Sequence, residues 1–130
     1  MEAKLLNGLS LAYIGDSVYE TYIREFVLKK GYNKVKDLHK NVVRYTSGEA
    51  QADIIHHMLS DNFLSEEEIN VFKRGRNSHI HTSRRNLKLQ DYLDATGFEA
   101  VVGYLYLSGN QSRLSEVIDY SLKIRGGEDD

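Results

Sequence analysis

Residues 9–27 read LSLAYIGDSVYETYIREFV, and this stretch predicts one long helix. One side of that helix carries, at steps of three and four residues, Leu9, Ala12, Tyr13, Asp16, Glu20, Ile23 and Val27. The stripe is apolar at both ends and acidic in the middle, and Gly15 weakens the helix by roughly 1 kcal/mol relative to Ala. A carboxylate on an apolar stripe costs free energy unless it is paired, hydrogen-bonded or bound to a metal. We therefore expect Asp16 to have a specific partner.

The composition is that of one globular domain. The chain has 130 residues, of which 41% are hydrophobic and 28% charged, which is enough for a single core. It contains no Cys, which excludes disulfides and thiolate zinc sites, and no Pro, which favours long helices. Neither a signal peptide nor a membrane-spanning run is visible, so we expect a cytoplasmic location. The net charge of −2 indicates no class of partner.

Apolar residues follow helical spacing along the whole chain, and no segment alternates with period two, so we predict an all-α fold. After the first helix, the predicted helices are 37–45, 47–59, 65–75, 89–93, 96–107 and 112–124. The helix 96–107 is apolar nearly all round, which indicates a buried central position. We assign residues 1–125 to one domain and 126–130 to a frayed tail.

Several of these helices carry local start or stop signals. Asn7 or Ser10 can cap the first helix, and Gly31 can end it in the left-handed conformation that glycine tolerates. Ser65 and Glu68 have the spacing of a capping box, which predicts that a helix begins there.

A second carboxylate stands out in the most hydrophobic helix, because Glu99 is the one charged residue in 95–112. If two helices bring Asp16 and Glu99 together, the carboxylates repel each other unless a cation lies between them or one keeps its proton. Mg²⁺ suits such a site because it needs only one or two protein carboxylates. The alternative is that each acid pairs with a buried arginine, such as Arg24 or Arg44, or bonds to a helix end.

The segment 69–90 is basic and contains no Asp or Glu. Its proposed phosphate-binding residues are Lys73, Arg74, Arg76, Asn77, Arg84, Arg85 and Lys88. Lys, Arg and short polar side chains are the groups that contact nucleic-acid phosphates. The segment 75–86 has no sustained apolar period and is predicted to be a loop. The alternative is a solvated loop that balances an acidic remainder.

Three motifs together resemble the ribonuclease III family. Residues 12–18, AYIGDSV, are similar to its signature helix, and residues 98–105, FEAVVGYL, are similar to its second acidic helix. Residues 73–76, KRGR, stand where that family has a basic, glycine-containing turn. The order and separation of the motifs agree over residues 9–124. The resemblance implies an all-α endonuclease domain of the ribonuclease III type.

The resemblance also implies an activity. It implies Mg²⁺-dependent cleavage of double-stranded RNA by a homodimer, with Asp16 and Glu99 as catalytic residues and metal ligands. Tyr13 occupies the slot of a dimer-contacting aromatic residue. The chain ends where a double-stranded-RNA-binding domain would begin, which resembles the small bacterial branch that consists of the catalytic domain alone. For that branch the implied substrate is the 23S ribosomal RNA precursor, with a ribosomal protein on the RNA as a further partner.

Two positions depart from the larger family's pattern, because Ala12 and Thr96 stand where that family has acids. Fewer charges predict weaker Mg²⁺ binding with more water around the ion. Glu20, one helical turn beyond Asp16, and Thr96 are the predicted water-orienting residues. The loss of acids also leaves open a non-catalytic RNA-binding or ribosome-associated module with the same fold. A plain helical interaction domain is a third alternative, but it leaves the two acids unexplained.

Overall fold

The computed structural model describes residues 2–78 and 87–126. Within these residues the chain forms a short 3-10 helix and then α-helices, and no strand is present. The 3-10 helix is Ala3–Leu5, and the α-helices are α1 (Gly8–Lys29), α2 (Val35–Thr46), α3 (Gly48–Ser60), α4 (Glu66–Arg76), α5 (Leu87–Leu107) and α6 (Gln111–Gly126). The all-α prediction is therefore confirmed. None of these helices is long and apolar enough to cross a membrane.

The predicted start and stop signals are present at the helix ends. The Asn7 side chain caps α1 by accepting a hydrogen bond from the main-chain N–H of Ser10, at 2.8 Å. Gly31 follows α1 with a φ of +99°, the left-handed conformation that suits glycine. Ser65 and Glu68 form a complete capping box at the start of α4. These ends depend on neighbouring residues only, which is why the sequence predicts them.

Helix α5 is the centre of the fold, as predicted, but it is one helix and not two. The sequence predicted separate helices at 89–93 and 96–107, whereas α5 runs without a break from Leu87 to Leu107. Residues 94 and 95, where the sequence predicted the break, are helical, and the carboxylate of Asp94 is 2.7 Å from His56 Nε2 on α3. Gly97 is needed for packing, because a Cβ at that position would lie only 2.5 Å from the ring of Phe72. Phe98 and Val101 are fully buried, and α1, α3 and α4 all pack against α5.

Two glycines set the contact between α1 and α5. A Cβ at Gly15 would lie 1.8 Å from the main-chain oxygen of Glu99, and a Cβ at Gly103 would lie 2.0 Å from that of Leu11. Both distances are far below van der Waals contact, so the two backbones touch directly and no larger residue fits. The helix stability that Gly15 gives up is offset by this close packing. Asp16 is thereby brought to the helix that carries Glu99.

The helix at the start of the basic segment extends one residue beyond its predicted end. The sequence predicted a loop from residue 75, but α4 continues through Gly75 to Arg76, and Asn77 caps it. Gly75 is held in the helix because a Cβ there would lie 2.7 Å from the Cβ of Ala100 on α5. The KRGR motif is therefore the last turn of a helix, whereas residues 79–86 lie outside the described residues.

The first turn of α4 is anchored to α6. The guanidinium of Arg113 donates two hydrogen bonds to the carboxylate of Glu68, at 2.9 and 2.8 Å, and a third to the main-chain oxygen of Phe63. Glu68 thus caps α4 and pairs with α6 at the same time. Helix α6 ends at Gly126, one residue beyond the predicted domain boundary, and residues 127–130 lie outside the described residues.

Candidate active site

The carboxyl groups of Asp16 and Glu99 are neighbours at the contact between α1 and α5. Burial is the largest cause that raises the pKa of Glu99, and hydrogen bonding and charge repulsion from Asp16 add to it. The side chain of Gln51 lowers the pKa of Glu99, and the balance of these effects raises that pKa to about 8. In the absence of a cation, Glu99 therefore keeps its proton at neutral pH and shares it with Asp16.

Asp16 is exposed, although the sequence placed it on a largely apolar stripe. In the first half of that stripe Leu9 is 45% and Tyr13 83% exposed, whereas Ala12 is buried. Helix α1 turns a different side towards the core, with Leu11 and Tyr19 fully buried. The stripe that carries Asp16 is therefore not one continuous buried face. The partner that we expected for Asp16 is Glu99, and solvent supplies the remaining hydration.

The arginines named as alternative partners have other contacts. Arg24 donates through Nε to the carboxylate of Glu20 on its own helix, at 2.9 Å. The guanidinium of Arg44 lies 3.4 Å from the main-chain oxygens of Arg125 and Gly126 at the end of α6. The polar groups that shift the pKa of Glu99 are Asp16 and Gln51. The two acids thus contact each other.

Gln51 is a residue of the site that the sequence did not single out. It lies in α3, is only 3% exposed, and its side chain lies close enough to Glu99 to lower the pKa of that group. Its position four residues before Ile55 and seven before Met58 puts it on the apolar face of that helix. An amide on a core-facing position was the available signal, since a buried polar group needs a partner.

The two predicted water-orienting residues have different surroundings. Glu20 is half-buried and lines an open hollow of about 290 Å³ together with Asp16 and Thr21, although its carboxylate is also paired with Arg24. Thr96 is buried, and its hydroxyl donates to the main-chain oxygen of Tyr92 at 3.0 Å. Glu20 therefore shares a surface with Asp16, whereas the hydroxyl proton of Thr96 already has an acceptor within α5.

The basic residues divide between two helix ends. Lys73, Arg74 and Arg76 form the last turn of α4, where positive charge also stabilises the helix dipole. Arg74 donates to the main-chain oxygen of Lys4 at 2.8 Å, so it also has a structural contact. Arg76 lies over the ring of Phe72, 5.3 Å from its centroid, and donates through Nε to the Asn77 side chain at 3.3 Å.

Lys88 is exposed in the first turn of α5, at the other end of the predicted basic segment. Arg84 and Arg85 lie outside the described residues. Among the basic residues that the structure describes, Lys73 and Lys88 are thus exposed lysines on two different helices. Both are accessible to a polyanion such as nucleic acid.

The donor set at Asp16 and Glu99 fits a magnesium ion. Its oxygen ligands are hard, it offers two carboxylates on two helices, and their mutual repulsion is relieved by a cation. Within the described residues there is no cluster of three or more His, Asp or Glu that could hold a metal. A site with two carboxylates leaves most positions around Mg²⁺ to water, which that ion accepts.

Comparison with known proteins identifies the class of this fold and site. Residues 9–110 match the Ribonuclease III domain family. A crystal structure of a Fusobacterium nucleatum protein superimposes with a TM-score of 0.78 at 32% identity, and covers 92% of this chain and 93% of that chain. The chain belongs to the ribonuclease III family and is an endoribonuclease. Enzymes of this family generally need a divalent metal.

Three relatives specify the branch of the family. The Mini-ribonuclease 3 of Symbiobacterium thermophilum is 47% identical over 87% of this chain and 85% of its own. The Mini-ribonuclease 3 of Enterococcus faecalis is 44% identical over 92% of this chain and 91% of its own. The Mini-ribonuclease 3 of Streptococcus pneumoniae is 40% identical over 97% of this chain and 99% of its own. The predicted resemblance to the small branch of the family is therefore confirmed.

Proposed function

We propose that this protein is a Mg²⁺-dependent endoribonuclease that cleaves double-stranded RNA, with Asp16 and Glu99 as catalytic and metal-binding residues. One observation carries the proposal: two carboxylates from different helices meet where Gly15 lets the backbones touch. Two acids in contact are costly unless a proton or a cation compensates them. A stable fold does not need such a pair, so its presence favours a functional role.

The two carboxylates have different parts in this mechanism. Mg²⁺, when bound, supplies Lewis-acid stabilisation of negative charge on the scissile phosphate. Asp16 is exposed and can meet a phosphate group at the protein surface, whereas Glu99 is further buried and holds the inner side of the site. Glu20, on the same hollow as Asp16, is our proposed acceptor of a hydrogen bond from the attacking water, and Thr96 is the second water-orienting residue.

The substrate is held through its phosphates. Lys73 and Lys88 are exposed, and Arg74 and Arg76 add positive charge to the same end of α4. With them we assign Asn77, Arg84 and Arg85 to RNA binding. A-form RNA is recognised through its shape, its phosphates and its 2′-hydroxyls, so we expect little direct reading of base sequence.

We further propose that the enzyme acts as a homodimer. Cleavage of both strands of a duplex needs two sites, and a two-fold dimer supplies them. Tyr13 supports this proposal because a large aromatic side chain that is 83% exposed is a candidate for burial against a second copy. The proposed substrate is the 23S ribosomal RNA precursor, recognised together with a ribosomal protein bound to it, and the proposed location is the cytoplasm.

The test is single-turnover cleavage of a labelled RNA duplex, with and without Mg²⁺, by the wild type and by Asp16→Asn. We expect cleavage only with Mg²⁺, and a loss of two or more orders of magnitude in the variant, which should fold normally because Asp16 is exposed. Asp119→Asn, an exposed acid on α6, is the matched control. A variant Asp16→Asn that cuts within a few-fold of wild type would refute the assignment.

A second candidate function is decided by the same experiment. Ala12 and Thr96, where the larger family has acids, leave only two carboxylates at the pair, and this is the one feature that would suit a non-catalytic RNA-binding module instead of a nuclease. That module would bind the duplex without cutting it at any Mg²⁺ concentration.

A further inference from the structure

We propose that Gln51 is a positioning residue that fixes the carboxylate of Glu99 for the metal. This inference rests on the proposed function, because it concerns the same acid pair. It adds a third helix, α3, to a site that otherwise consists of α1 and α5.

The surroundings of Gln51 require a specific partner for its amide. Gln51 is 3% exposed, and its neighbours on the same helix, Ala50, Ile54 and Ile55, are completely buried. Amide groups in such surroundings are hydrogen-bonded in native proteins. The partner of Gln51 is the carboxyl group of Glu99, on the helix that packs against α3.

A second contact also joins α3 to α5. His56 Nε2 is 2.7 Å from the carboxylate of Asp94. Gln51 and His56 are five positions apart on α3, and Glu99 and Asp94 are five positions apart on α5, in the reverse order. The two contacts thus occur in reverse order along α3 and α5, as expected for helices that run in opposite directions, and His56–Asp94 is a second tie between the helices that carry Gln51 and Glu99.

The chemistry of the contact suits a metal ligand. An amide NH₂ group can donate to a carboxylate oxygen, so the buried amide of Gln51 is suited to hold the carboxylate of Glu99. Such a bond restricts the rotamers of Glu99, so less conformational freedom is lost when a cation binds. Groups that orient metal ligands in this way typically change metal affinity or activity by about 10- to 100-fold when they are removed.

The test compares Gln51→Met, which keeps the length of the side chain and removes the amide, with the wild type. Mg²⁺ binding to the RNA-free protein is measured by calorimetry, and the half-saturating Mg²⁺ concentration is measured in duplex cleavage. We expect Gln51→Met to bind Mg²⁺ about tenfold more weakly, with cleavage restored at high Mg²⁺. Ser121→Ala, which removes a buried hydroxyl from α6, is the control for loss of a buried polar group and should leave Mg²⁺ affinity unchanged.

Gln51→Asn is the second variant, in case Gln51→Met does not fold, because it keeps the amide but shortens its reach by one methylene group. It should also bind Mg²⁺ more weakly. Unchanged Mg²⁺ affinity in either folded variant overturns the role of Gln51 alone. A wild-type protein that neither binds Mg²⁺ nor cleaves the duplex overturns the proposed function as well, so the two failures are distinguishable.

Discussion

Asp16 on α1 and Glu99 on α5 lie side by side because Gly15 packs directly against the main-chain oxygen of Glu99. The contact makes the pKa of Glu99, about 8, a property of the folded state. Between the ordinary carboxyl pKa of 4.5 and this value, the native protein holds a proton that the unfolded chain has released. The acid pair therefore couples folding to pH.

We predict that the metal-free protein loses stability as the pH rises from about 5 to about 8.5. The loss attributable to Glu99 should be of the order of 4 kcal/mol, because the equivalent of about three pKa units is lost over this pH range and each unit corresponds to about 1.4 kcal/mol. Urea unfolding in EDTA at both pH values measures it, and Glu99→Gln is the control that lacks the titrating group. If the wild type and Glu99→Gln lose equal stability over this range, the pair does not titrate as described.

We predict that Gly15→Ala disrupts the site through the backbone. The added Cβ would lie 1.8 Å from the oxygen of Glu99, so α1 and α5 must separate. We expect a loss of about 2 kcal/mol or more in the free energy of unfolding and a clear loss of Mg²⁺ affinity. Gly48→Ala is the matched control, because nothing lies within 4 Å of a Cβ at that helical position. Equal stability of the two variants would contradict the contact.

We predict that the basic residues set the salt dependence of RNA binding. Each phosphate contact contributes about −1 to the slope of log affinity against log salt concentration. Replacing both Lys73 and Lys88 with Ala, or both Arg84 and Arg85, should weaken binding to all duplexes and flatten that slope. Lys123→Ala, on the exposed side of α6, is the control. Unchanged affinities and slopes in both double variants would mean that RNA is held elsewhere.

We predict that the protein sediments as a dimer of about 30 kDa at micromolar concentration, since the chain has a mass of 14.9 kDa. Tyr13→Ala should shift the equilibrium towards monomer, because it removes the most exposed large aromatic side chain among the described residues. Tyr32→Ala, in the segment after α1 and 40% exposed, should leave the dimer intact. An active preparation that contains only monomer is the result that contradicts this prediction.

Local signals made much of the fold predictable. Asn7, Gly31, Ser65 and Glu68 act on neighbouring residues, so the sequence is sufficient to locate the helix ends they define. The helical spacing of apolar residues is likewise a local property, and it yielded the all-α class. The pairing of Asp16 with Glu99 was inferred from two acids in apolar surroundings together with the family resemblance.

The remaining features depend on contacts between distant residues. The sequence broke α5 at residues 94–95, between two apolar runs, because nothing local shows that Asp94 is held in the helix by His56 on α3. The exposure of Asp16 depends on which side of α1 faces the core, and Leu11 and Tyr19 determine that side only once the helices have packed. Gln51 was missed for the same reason, because its partner lies on another helix.

Because α5 is continuous, it fixes the distance between residues at its two ends. Lys88 and Glu99 are 11 positions apart on one unbroken helix, which is about three turns and about 16 Å at the standard rise. The two residues therefore lie on nearly the same side of α5, at a separation that does not depend on side-chain packing. A strand of nucleic acid bound at Lys88, as we propose, would therefore be held at this fixed distance from the acid pair. Deleting a single residue between Lys88 and Glu99 would shorten their separation by only about 1.5 Å, but it would rotate one residue relative to the other by about 100° around the helix axis.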